Sequence, residues 1–370
     1  MPFADQLIGP DVAEQLSLQM QAVVPDRTLE HLPAVRATLD PLSLRERSDA
    51  LRDALLADFP IGYAQLAAAI RRASEHSETF TGWMIWPVTS ALASKAVQEN
   101  TAEAFDDALA LLAMLTPRLT AEFAIRQLLN HDLERALSFV YRWTQSPDEH
   151  VRRLASEGTR PYLPWAVRVP QLNVAPAMAI PILDALYRDE SEYVRRSVAN
   201  HLNDLSRESA SLVVHTAQRW LENPADTTLG VVKHGLRTLL KRGNPEALAV
   251  LGFVPATLEI SGPSVASEQI GWNSSVEFAA SIKNTGTEPA RLAIDYIVNH
   301  QKANGSTTPK VFKLSTRTLA PGEQLDIART HSFRPITTRR YYPGAHSIAL
   351  QINGVPTEAA GFELLPDTEL

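Results

Sequence analysis

Basic side chains return at recurring positions through the middle of this chain. A five-residue phrase reads EFAIR at Glu122–Arg126, EHVRR at Glu149–Arg153 and EYVRR at Glu192–Arg196, with a degenerate copy, GVVKH, at Gly230–His234. The fifth positions are Arg126, Arg153, Arg196 and His234. Helical spacing adds companions. Arg153, Glu157 and Arg160 fall at i, i+4 and i+7, on one face. Glu122, Arg126 and Asn130 share a face in the first copy. Arg196, Asn200 and Asn203 do so in the third, with Asp204 one turn beyond Asn200, and Lys233, Arg237 and Lys241 do so in the last. A row of bases on one wall is chemistry for holding a polyanion. The competing reading is a set of solvated ion pairs worth about 0.2–0.5 kcal/mol each. Recurrence at equivalent positions favours the first. Trp165, in the Pro-flanked EGTRPYLPWA (157–166), either packs into a core or stacks on a nucleobase. Trp83, Trp86, Trp143 and Trp220 sit in helical apolar patterns and read as core.

Phrases that return every few tens of residues call for a helical solenoid, because such repeats stack into one continuous surface. Residues 11–250 carry apolar positions at helical spacing, as in ALRDALLADF (50–59), YAQLAAAIRRA (63–73) and FDDALALLAML (105–115). Stops are expected at Pro117, Pro147, Pro181 and Pro245, with Gly243 as a C-cap before Asn244–Pro245. After residue 255 the period changes to two. Seven short segments (257–261, 275–286, 291–301, 310–319, 324–333, 346–353 and 361–365) alternate between turn residues, as expected of an immunoglobulin-like β-sandwich. The expected architecture is an all-α helical-repeat domain over 1–254 followed by an all-β sandwich over 255–370.

Composition bounds the function. With 370 residues and 45% hydrophobic content, the chain can hold two cored domains. There is no cysteine, hence no disulfide framework or thiolate metal site. No phosphate-binding glycine loop, HExxH or GxSxG is present, so no metal or cofactor is indicated. The start, MPFADQLIGPDVAEQL, lacks the apolar core of a signal peptide, and no apolar run is long enough to span a membrane. The expectation is an intracellular, monomeric protein. The net charge of −7 argues against nucleic acid, but its distribution does not. Residues 1–117 hold 8 bases against 16 acids, whereas residues 118–250 hold 17 against 15. A duplex feels the local potential within about 10 Å.

The stretches EHVRRLASEGTRPYLPWA (149–166), EYVRRSVANHLNDLS (192–206) and HGLRTLLKRGNPEALAVLGF (234–253) resemble the AlkC/AlkD superfamily of DNA alkylation-repair glycosylases. The strand-rich tail is similar to the AlkC type, which appends an immunoglobulin-like domain. The resemblance implies HEAT-like repeats around duplex DNA and excision of cationic N-methylated bases, chiefly 3-methyladenine and also 3-methylcytosine, without flipping the base into a deep pocket. It implies a cluster of acids with an aromatic at the lesion. Matched by motif, these are Glu122, Glu157 and Asp204 with Trp165. DNA contacts are then expected from Arg126, Arg152, Arg153, Arg160, Arg195, Arg196, Lys233, His234 and Arg237. The implied partner is double-stranded DNA carrying alkylated bases, reached in the cytoplasm and nucleoid. A second reading is a non-enzymatic scaffold that uses the same surface to bind a protein or bent DNA.

Overall fold

The computed structural model describes residues 7–336 and 339–367; the first six residues of the acidic start lie outside that range. The chain forms two compact units that divide between Gly235 and Leu236, ahead of the change of pattern at 255.

The first unit is helical. Its helix starts are written in the sequence as caps. Ser43 and Glu46 form a capping box at Leu44–Asp58. Thr101, Asp132, Asp148 and Ser209 each accept a backbone N–H at the start of the helix that follows. Helices end before Pro117 and Pro147 as expected. Pro181 does the opposite and lies in the first turn of Ile180–Leu186, where its missing N–H costs nothing. One row of helices packs side by side: Leu44–Asp58, Ile85–Glu99 and Ile125–His131, then Glu149–Glu157, Glu192–Leu205 and Thr228–Gly235. At the middle of the row Gly158 makes the approach possible, since a Cβ there would come within 2.8 Å of Ile125 Cγ2. The first phrase is out of register with the others. Glu122–Ala124 is a turn and the helix begins at Ile125, whereas the second and third copies open their helices at the glutamate.

The second unit is a two-sheet β-sandwich with two short helices, Arg237–Lys241 and Pro245–Val250, ahead of it. All seven expected segments are strands: β1 (Leu258–Val265), β3 (Ser275–Asn284), β4 (Ala290–Gln301), β5 (Thr307–Leu319), β6 (Gln324–Ser332), β7 (Gly344–Ile352) and β9 (Ala360–Leu364). Two-residue strands β2 (Gln269–Ile270) and β8 (Val355–Pro356) are additional. One sheet runs β1-β3-β6; the other runs β2-β9-β7-β4-β5, with β8 on β7. Along β4, Leu292, Ile294, Tyr296, Val298 and His300 alternate inward onto Phe278, Ile282 and Leu350. Gly243 is the expected αL residue, with φ +71°. It also meets Gly354, where φ is +83°, and a Cβ on either would strike the other's backbone. Arg291 donates to Leu251 O at 2.8 Å and Asn353 to Val254 O at 2.8 Å, which ties the segment after the helices into the sandwich.

Candidate active site

Five of the expected residues are assembled by the row of helices into one chain of charge. Glu122 comes from the turn before Ile125, Arg153 and Glu157 from the Glu149–Glu157 helix, Arg160 from the loop after it, and Asp204 from Glu192–Leu205. Arg153 pairs with Glu122 and lies 3.4 Å from Glu157 Oε1. Arg160 reaches the same oxygen at 2.5 Å and Asp204 Oδ2 at 2.8 Å. The order is therefore acid, base, acid, base, acid. These are not solvated surface pairs: none of the five side chains is more than 15% exposed. Alternation gives every buried guanidinium two carboxylates, which offsets desolvation, and removing one member of a buried pair commonly costs about 3–5 kcal/mol. The chain holds three carboxylates and two guanidiniums.

Glu157 is the fixed centre. Arg153 and Arg160 hold Oε1, and Ser197 donates to Oε2 at 2.6 Å. Both donors to Glu122, Thr120 at 2.9 Å and Arg153, converge instead on Oε2. Burial raises the Glu122 carboxyl above its ordinary value, although Arg153 pulls the other way. His201 lies fully buried with Nδ1 2.9 Å from Ser156 O, and burial depresses it to about 3. It is neutral at physiological pH and offers no proton.

Trp165 is 49% exposed and has φ +63°, a left-handed backbone that a bulky side chain rarely adopts. Its loop is held from beneath by Arg126. That guanidinium donates to Val167 O, to Gly158 O at 3.1 Å and to Arg160 O at 2.7 Å, while Asn130 donates to Arg168 O at 2.9 Å. Trp83 is half-buried, and Trp86, Trp143 and Trp220 are core residues. Trp86 stacks on Phe123, beside Glu122, with centroids 4.1 Å apart.

The chain as a whole is similar to a solved structure. The solved structure of Pseudomonas fluorescens alkylpurine DNA glycosylase AlkC, bound to DNA containing an abasic-site analogue, is 33% identical with a TM-score of 0.83. The match covers 99% of this chain and all of that one. The chain belongs to the AlkC family. An uncharacterised Bacillus subtilis protein, YhaZ, is 32% identical over 324 residues, spanning 87% of this chain and 88% of the relative. Residues 259–366 match the model of the YhaZ C-terminal immunoglobulin-like domain. The family and the helical-then-sandwich architecture expected from the sequence are thus borne out.

Within this AlkC-type chain the expected row of phosphate contacts is largely redistributed. Arg126 is 0% exposed and braces the Trp165 loop, so it cannot meet a phosphate. Burial brings its pKa down to about 10. Arg152 is also buried: it forks onto Asp189 at 2.7 and 3.0 Å and donates to Ser146 O and Pro147 O, both at 3.0 Å. Arg195 repeats the motif one helix later, reaching Asp189 O at 2.6 Å and Glu190 O at 2.8 Å. The fourth position of the second and third phrases thus closes the loop five and six residues behind it. Arg153 and Arg160 belong to the charge chain. Arg196 is exposed and pairs with Glu192 at 2.8 Å. Lys233 and His234 are exposed, and His234 Nε2 lies 3.0 Å from Asn200 Oδ1. Arg237 opens a separate short helix, Arg237–Lys241, in the second unit. Sequence reading passed over Thr120, Ser197 and Tyr193. Tyr193 lies in the third phrase itself, and its ring has the Arg153 guanidinium 5.2 Å from its centroid.

Among the described residues no group of side chains fits a metal ion, and no helix is long and apolar enough to cross a membrane.

Proposed function

We propose that this protein is a DNA glycosylase of alkylation repair that hydrolyses the N-glycosidic bond of cationic N-methylated bases, 3-methyladenine first among them and 3-methylcytosine as a further substrate. The observation that carries the reading is the buried carboxylate–arginine chain Glu122–Arg153–Glu157–Arg160–Asp204 with the exposed Trp165 five residues after Arg160. Carboxylates repel a polyanion, so gathering three of them at a DNA-binding site has a use where positive charge must be stabilised.

N3-methylation supplies that charge. The glycosidic bond from C1′ (to N9 of 3-methyladenine, to N1 of 3-methylcytosine) breaks, its electron pair neutralises the departing base, and positive charge passes to the deoxyribose. Water then bonds to C1′ and loses its proton to the Glu122 carboxylate. Glu157, held through both oxygens, acts as fixed negative charge facing the oxocarbenium-like sugar. Glu122, with its donors gathered on one oxygen, positions the water. Trp165 faces the cationic base, a contact worth about 1–2 kcal/mol when partly desolvated. The leaving group needs no general acid, in keeping with the neutral, buried His201. Double-stranded DNA carrying the lesion is the partner, and extrusion of the base into a deep pocket is not required.

Incubation with methylated duplex and chromatography of the released bases tests the proposal. Free 3-methyladenine and an equal yield of abasic sites are expected. Duplex binding without release would make the protein a non-enzymatic DNA-binding scaffold instead.

A further inference from the structure

Arg168 and Arg207 stand three residues beyond Trp165 and Asp204. Both are exposed. Their guanidinium carbons lie 4.2 and 4.4 Å from the centroid of one ring, Tyr162. Two like charges gathered on a single aromatic repel each other, so the arrangement needs a third party. No carboxylate lies within ion-pair distance of either guanidinium among the described residues. The adjacent acid, Glu208, is engaged elsewhere: the Tyr162 hydroxyl donates to it, and so does Asn173 at 3.1 Å. Arg168 has one polar side-chain contact, to Pro161 O at 3.3 Å, and its backbone carbonyl is held by Asn130. Several neighbouring bases differ. Arg152, Arg153, Arg160 and Arg196 each hold a carboxylate, and Arg195 holds carbonyls.

We infer that Arg168, Tyr162 and Arg207 form a clamp for DNA backbone phosphate beside the Trp165 loop. The ring fixes two planar forks, and an entering phosphate relieves their repulsion and accepts their hydrogen bonds. The inference rests on the DNA reading above and supplies what the buried Arg126 and Arg152 cannot: cations open to a phosphate next to the site.

The test is binding of the full-length protein to a short undamaged duplex as salt is raised from roughly 50 to 200 mM. R168A/R207A is expected to lower the slope of log affinity against log salt by about 0.9 for each arginine. R168K/R207K, which keeps the charge, should restore most of the slope, and it guards against an alanine variant that folds poorly. An unchanged slope in a folded R168A/R207A protein overturns the clamp and leaves the glycosylase reading standing. Absence of salt-dependent duplex binding by the wild type would overturn the DNA reading itself.

Discussion

The two units each bury a cluster of titratable side chains, and they solve the same desolvation problem in opposite ways. The helical unit keeps the chain from Glu122 to Asp204 charged by alternating its signs, and only His201 beside it is held neutral. The sandwich keeps its groups neutral. His300, His331 and His346 are all under 9% exposed, packed among Tyr296, Phe312, Phe333, Tyr341 and Phe362. Burial depresses His300 to about 3 and His331 to about 4, and lowers His346 as well. Tyr296 Oη lies 3.1 Å from His331 Nδ1, and Arg339 donates to His300 Nε2 at 3.1 Å. A paired charge can serve chemistry because its field survives in the fold. A suppressed one serves packing only.

The largest expected effect tests that division. A histidine that titrates near 6.5 when unfolded but near 3–4 when folded leaves the unfolded state binding more protons between those values. Stability therefore falls as pH drops below about 6, by on the order of 1.4 kcal/mol per pH unit for each fully neutral histidine. Amide exchange in β4 and β7 should accelerate between pH 6 and pH 4, ahead of the helices. H331F should flatten that dependence, at the expense of the Tyr296 contact. Equal loss of helix and strand protection over that range would erase the contrast between the units.

Next comes Arg126. R126M removes donors from three buried carbonyls and is expected to cost about 3–5 kcal/mol. Thermal unfolding should register that loss, whereas the salt slope of DNA binding should not move. The opposite pattern would return Arg126 to the phosphate-contacting set in which its sequence position placed it.

That misplacement shows what the sequence could carry. Period fixes which residues share a face, so the helices and strands were legible; the three carboxylates came from the resemblance to the glycosylase family, and Gly243 from its place before Asn244–Pro245. Period does not fix depth. EFAIR and EHVRR look alike, yet Glu122–Ala124 is a turn, which rotates Arg126 into the interior while Arg153 stays in the charge chain. Contacts between repeats, such as Glu122 with Arg153 or Arg152 with Asp189, depend on helix offsets that no local pattern encodes. The histidines left a readable signal: His300 is in phase with Tyr296 and Val298, and His331 with Ile327. A polar residue in an apolar phase is easily taken for a strand end.

E157Q sharpens the paired side of the comparison. It keeps the shape and removes the charge held by Arg153, Arg160 and Ser197. Single-turnover excision should slow by about 10²–10³-fold, as for loss of one preorganised electrostatic group. DNA affinity should hold or tighten, since negative charge leaves the groove. If affinity falls and the single-turnover rate stands, Glu157 only orients its two arginines.

The smallest effect separates function from stability at one residue. Trp165 is half exposed, so its removal sacrifices little burial, but its φ of +63° is a conformation that glycine takes freely and tryptophan does not. Such backbone positions store about 1–3 kcal/mol. W165G releases that strain and also adds freedom to the unfolded chain, which works against it. The balance should be a protein at least as stable as wild type, with a melting temperature unchanged or a few degrees higher, that excises poorly because nothing faces the base. W165A loses the same ring without gaining glycine's freedom at positive φ, so it should melt below W165G by an amount equivalent to about 1 kcal/mol. A W165G protein that melts well below wild type would place the indole among the groups that hold the loop together, beside Arg126, rather than among those that meet the substrate.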